Sequence, residues 1–126
     1  MPFGVGADLE ASVEVPIQPV STWTGLDLSG PAFFPGWLLD ADDQLVTAGK
    51  LACTALWGAA PRVDVWQFST NGTYSAGVAG IPSLGFGPME EEWVHSAEDQ
   101  VDLEKLLKAA MFYAVFPLAH TLVRAG

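Results

Sequence analysis

From Asp42 to Trp57 the chain places Leu45, Gly49, Ala52 with Cys53, and Leu56 at helical spacing, and sets the small residues Ala48, Gly49, Ala52 and Ala55 among them. A helix with so little bulk can be buried only by a neighbour that comes close, so the pattern predicts an α-helix packed against a sheet. Asp40, Asp42 and Asp43 stand at its start, where the helix dipole favours negative charge, and Gly58 supplies the stop. A second long helix is expected from Asp102, its N-cap, with Leu103, Leu106, Leu107 and Ala110 on one face and Pro117 kinking or ending it.

Strand patterns lie before and between these helices. Over residues 8–24, Ala11, Val13, Val15 and Ile17 alternate with Ser12, Glu14, Pro16 and Gln18, the period of a half-buried strand. Pro16 and Pro19 lack a ladder N–H and place it at an edge. Gly25 to Gly36 reads as a packed connection, with Phe33, Phe34 and the adjoining Trp37 to anchor it, and marks the domain boundary. Arg62 to Phe68 and Ile81 to Phe86 read as further strands. The crossover between them, residues 69–80, suits a short helix over roughly 73–79 capped by Gly80. Helices alternating with strands predict an α/β sandwich.

With 126 residues, half of them hydrophobic, the chain is expected to form one domain with a core, which excludes wholesale disorder. A membrane is not expected as a partner: the apolar run Ala109 to Val123 is short for a span and holds Pro117. Nor does the N-terminus read as a secretory signal. Five basic residues against 15 acidic ones, a net charge of −10, argue against nucleic acid and anionic membranes. The single cysteine, Cys53, sits in an apolar helix like an inert buried thiol and points to a reduced, cytoplasmic setting. The charged fraction of 16% is low for a small domain that covers its own surface, and suggests a partner surface or membership of something larger.

Asn71-Gly72 admits two readings. It is a favoured hairpin turn, although Thr73 to Gly80 is poor strand material. Alternatively Ser69, Thr70 and Asn71 stand between a strand end and a helix start, where α/β folds bind ligands and free N–H groups favour a carboxylate. The sequon Asn71-Gly72-Thr73 reads as chance where no signal peptide is read. Gly85-Phe86-Gly87 lacks the rest of a dinucleotide fingerprint. Glu90 to Glu92 reads as a solvated acidic loop. Glu92 and His95 have the spacing seen in di-iron bundles, which need two such pairs on long helices. His95 itself is either a surface histidine or, with Asp99 four residues on, a metal ligand. His120 reads as structural or exposed.

Trp66-Gln67-Phe68-Ser69-Thr70-Asn71-Gly72, then Gly77-Val78-Ala79-Gly80-Ile81-Pro82-Ser83-Leu84-Gly85-Phe86-Gly87-Pro88, then Val94-His95-Ser96 resemble the C-terminal catalytic segment of the dizinc peptidases and amidohydrolases. These are the relatives of acetylornithine deacetylase, succinyl-diaminopimelate desuccinylase, aminoacylase and carboxypeptidase G, with a flavour closest to the selenium-metabolism-associated hydrolases. Phe33-Phe34-Pro35-Gly36-Trp37 and Ala109 to Tyr113 also fit, so the resemblance covers roughly residues 8–116. In place of the family's Ala-His-Thr-Pro-Asn-Glu this protein has Val94-His95-Ser96-Ala97-Glu98-Asp99, and Met89 replaces a usual glycine.

The resemblance implies a catalytic α/β domain split by an inserted lid. Residues 1–25 would be a remnant of the lid and its terminal strand, and residues 26–126 the second half of the catalytic sandwich. It implies His95 as a zinc ligand, and Ser69, Thr70, Asn71 and Gly72 as the contact to the substrate's carboxylate side. The complete enzyme would hold two zinc ions, or cobalt or manganese, and hydrolyse an amide bond of an N-acyl amino acid or small peptide with metal-activated water. A homodimer through the lid would belong to that full-length protein. In the family the first His-x-Asp, the bridging Asp, the Glu-Glu with the general base and a further acidic ligand belong to the N-terminal half, and no His-x-Asp occurs here, so the isolated chain is expected to be inactive. The alternative is a non-catalytic, truncated interaction protein that keeps the fold segment.

Overall fold

The computed structural model describes residues 12–125, and residues 8–11 of the expected first strand lie outside them. The protein divides into two compact units between Phe34 and Pro35.

The first unit is a β-hairpin. β1 (Ile17–Gln18) pairs antiparallel with β2 (Gly30–Pro31), Ile17 opposite Pro31 and Gln18 opposite Gly30. A three-residue loop, Trp23-Thr24-Gly25, joins the arms. Gly25 N–H donates to Thr22 O at 2.9 Å and Gly25 takes φ 82°, the left-handed glycine that completes a type I turn with a bulge. Asp27 accepts from Ser29 N–H at 2.8 Å, and the Ser29 hydroxyl and N–H hold its carboxyl below the usual range. None of the described residues in this unit is buried: Val13 is 99% exposed and Trp23 97%. The segment from Gly25 is thus the returning arm of a hairpin, made possible by one glycine at positive φ.

The second unit is helical. α1 (Gln44–Trp57) begins at Asp43, whose carboxylate accepts from Leu45 N–H at 2.7 Å, and ends at Gly58, φ 75°, whose N–H reaches Thr54 O at 2.8 Å. α2 (Gly72–Ser75) is a single turn that ends at Ala76, shorter than the helix over roughly 73–79 expected to be capped by Gly80; turns fill residues 76–79 and Gly80 follows at φ 66°. α3 (Leu103–Ala125) starts from Asp102, whose Oδ1 accepts from Glu104 and Lys105 N–H at 2.7 and 3.0 Å.

The α/β sandwich expected from the sequence is not what forms. Among the described residues the sheet has two strands, both in the hairpin, and helix dominates the regular structure. Residues 62–68 and 81–86 carry no ladder, because no strand among the described residues lies beside them to take their backbone groups. The small-residue face of α1 packs instead on α3. Ala48, Ala52 and Cys53 are buried with Phe112 and Ala119, and Leu56, Phe86, Val115, Phe116 and Val123 close the cluster. The Phe86 ring stacks on Phe112 with centroids 3.8 Å apart. A Cβ on Gly49 would lie 2.9 Å from Leu84 Cδ2, so the irregular segment 84–86 takes the close approach assigned to a sheet. Burial raises the Cys53 thiol pKa, as expected of an inert thiol.

Pro117 does not end α3. Phe112 and Phe116 dock before it, Ala119 and Val123 after it, and that burial outweighs the roughly 3 kcal/mol a mid-helix proline costs. The resulting helix of 23 residues is long and apolar enough to cross a bilayer by length and composition. A narrow stripe packs on α1, and only 17% of the apolar window is buried.

Candidate functional site

The two motif segments meet. Phe68, immediately before Ser69, packs edge-on against the His95 imidazole with centroids 5.9 Å apart. Next to this contact, Gln67 N–H donates to Glu91 Oε1 at 3.2 Å, tying the acidic loop to the same stretch of backbone. His95 holds φ 63°, and among the described residues it alone is left-handed without being glycine. Such a conformation is uncommon for a residue with a Cβ and marks a constrained position. The flanking turns are fixed locally: Trp93 N–H reaches Glu90 O at 3.1 Å and Ser96 Oγ donates to Trp93 O at 2.7 Å. His95 is exposed.

Ser69, Thr70 and Asn71 lead into α2, without a hairpin at Asn71-Gly72. Thr70 closes the turn, its Oγ1 accepting from Gly72 N–H at 3.1 Å and its carbonyl from Thr73 N–H at 3.0 Å. Ser69 and Thr73 hydroxyls are 2.9 Å apart. The Asn71 amide does not cap the helix. The expected reason for anion binding is therefore weaker than the sequence implied. A one-turn helix sums few peptide dipoles, and its Gly72 N–H already has an acceptor.

Trp37, expected from the sequence to anchor a packed connection, organises this region through partners that the sequence did not indicate. Its indole N–H donates to Ser83 O at 2.9 Å. Its ring covers Gly72 so closely that a Cβ there would sit 2.1 Å from Cη2. Ser75 and Ser83 hydroxyls, 2.8 Å apart, add a second tie between α2 and the segment after Gly80. A tryptophan among the glycines and prolines of residues 25–37 was the available signal.

The donor set decides whether a metal could be held. Among the described residues no group of three His, Cys, Asp or Glu residues converges in a way that could hold an ion. Asp99 does not complete a cluster with His95, and the described residues do not by themselves fit a metal site. His120 stacks on Phe116, centroids 6.2 Å apart and nearly parallel, in a structural position.

A shallow groove of about 530 Å³ lies elsewhere, lined by Trp57, Phe86, Met89, Glu90, Lys105 and Lys108. Lys105 pairs with Glu90 across it, and Tyr113 Oη donates to Phe86 O beneath. None of the sequence-predicted site residues lines it. On the surface Asp64 is held below its usual range by the Val65 N–H and then by Arg62.

The chain is similar to a protein called uncharacterized protein YgeY in Escherichia coli K12 and to the protein of that name in Escherichia coli O157:H7. Each is 40% identical over 98 residues, 78% of this chain and 24% of the relative. The match thus spans about a quarter of the curated relatives' length. No protein-family profile and no solved structure matches.

Proposed function

We propose that this polypeptide is the C-terminal portion of an amidohydrolase that cleaves the amide bond of an N-acyl amino acid or small peptide. The observation that carries this reading is the contact of Phe68 with His95. It brings the Ser69-Thr70-Asn71-Gly72 segment and the histidine loop, the two pieces that resemble the dizinc family, to one place. In this reading His95 offers one imidazole to a metal and Ser69 to Gly72 face the substrate's anionic end. The remaining ligands and the general base belong to polypeptide outside these residues, as the relatives' greater length allows.

The test has two arms. Calorimetric zinc titration of the protein is expected to show no tight stoichiometric binding; tight binding lost in His95→Ala would contradict an incomplete site. In a longer polypeptide that includes these residues, His95→Ala is expected to abolish hydrolysis of N-acyl amino acids, and unchanged turnover would sink the ligand assignment. Exposed apolar residues on α3 favour a second reading, a non-catalytic interaction protein. The reading frame before Met1 separates the two, since His-x-Asp and Glu-Glu encoded there would favour the hydrolase.

A further inference from the structure

Asn71 is the only asparagine in the sequence, it is exposed, and a glycine follows it. An asparagine before glycine is the arrangement most open to attack by the next backbone nitrogen, because no Cβ shields that nitrogen. We propose that Asn71 is a deamidation site whose rate is set by the lock that Thr70 and Trp37 place on Gly72.

In the reaction the Gly72 backbone nitrogen bonds to Asn71 Cγ. The Cγ–Nδ2 bond of Asn71 breaks, and ammonia leaves carrying the proton that Gly72 gives up. Water then opens the cyclic imide at either carbonyl, yielding aspartate or isoaspartate. One ammonia departs, one water is taken up, and no oxidant or reductant takes part. The product carries one more negative charge, in a protein already at −10.

The folded geometry opposes ring closure. Asn71 sits at φ −58°, ψ −17°, a helical setting. Closing the five-membered ring requires rotation about the Asn71 Cα–C bond away from that ψ. The rotation would pull Gly72 N–H off Thr70 Oγ1, now 3.1 Å away. It would also break the bonds from Tyr74 and Ser75 N–H to Asn71 O, each 3.1 Å, and it would have to move Gly72 beneath a Trp37 ring that already leaves no room for a Cβ there. The ring cannot easily give way, since its own N–H is tied to Ser83 O at 2.9 Å. Deamidation must therefore wait for local opening of α2. Reaction at Asn71 does not depend on the proposed hydrolase activity.

The experiment compares the folded protein with a blocked peptide of residues 69–75 at mildly alkaline pH. It follows the mass gain on exchange of NH2 for OH, and isoaspartate by enzymatic methylation. The folded protein is expected to react at least roughly tenfold more slowly than the peptide, as a modest local opening free energy requires. Thr70→Val and Trp37→Ala are each expected to recover a several-fold part of that difference. The proposal is overturned if the folded protein reacts at the peptide's rate, or if the variants, shown folded by circular dichroism, keep the original rate. Should Trp37→Ala fail to fold, Thr70→Val decides the matter alone.

Discussion

Gly49 and Gly72 both lie under a neighbour, and the neighbours differ in how they can yield. At Gly49 an added methyl meets the end of a flexible leucine, Leu84 Cδ2 at 2.9 Å. That leucine can change rotamer, and alanine gains about 1 kcal/mol over glycine within a helix. At Gly72 the methyl meets the rigid indole of Trp37 at 2.1 Å. Gly49→Ala is therefore expected to alter stability by less than about 1 kcal/mol, whereas Gly72→Ala costs about 1–3 kcal/mol as overpacking. Urea midpoints measure both, and the Trp37 indole N–H resonance should move only in Gly72→Ala. A Gly72→Ala protein as stable as the parent, with that resonance unmoved, would show that the ring does not occupy this place.

At the scale of elements, what the sequence disclosed followed the range of the interaction. Asp43, Gly58 and Asp102 act on backbone groups a few residues away, and the helices they bound are where spacing placed them. Residues 62–68 and 81–86 have strand composition, but a strand exists only through a partner, and composition does not supply one. The small face of α1 demanded a close neighbour without saying whether it would be sheet or helix. The meeting of Phe68 with His95 is long-range, 27 positions apart in the chain, and no spacing or composition in the sequence points to it. Pro117 lies inside α3 instead of ending it, because the packing of Phe112 and Phe116 before it and Ala119 and Val123 after it is long-range and local propensity does not contain it. Two substitutions separate those forces. Phe112→Ala removes the ring stacked on Phe86 and Phe116 and is expected to cost about 3–5 kcal/mol. Pro117→Ala restores an N–H to face Tyr113 O, and is expected to stabilise α3 by about 1–3 kcal/mol. A lowered melting temperature for Pro117→Ala would mean that the proline ring itself contributes to packing.

For the whole molecule the decisive property is how much apolar surface stays open. α3 shows it most clearly. Ala109, Phe112, Phe116, Ala119 and Val123 form its inner stripe, and Leu103, Leu107, Met111, Leu118 and Leu122 recur on the opposite side, all exposed. A helix apolar on both sides belongs inside something thicker than one helical layer. The low charged fraction noted in the sequence has the same origin, since faces of this kind carry few charges. An open stripe of this length favours association of the isolated protein. The double substitution Leu107→Glu with Leu118→Glu places charges at two positions that are each 63% exposed. It touches no buried partner, so the unfolding free energy should stay within about 0.5 kcal/mol per site. Light scattering across a concentration series should nevertheless show markedly less association, and binding of a hydrophobic dye should fall. If stability drops by several kcal/mol instead, the stripe is already covered, and α3 packs differently from the arrangement described.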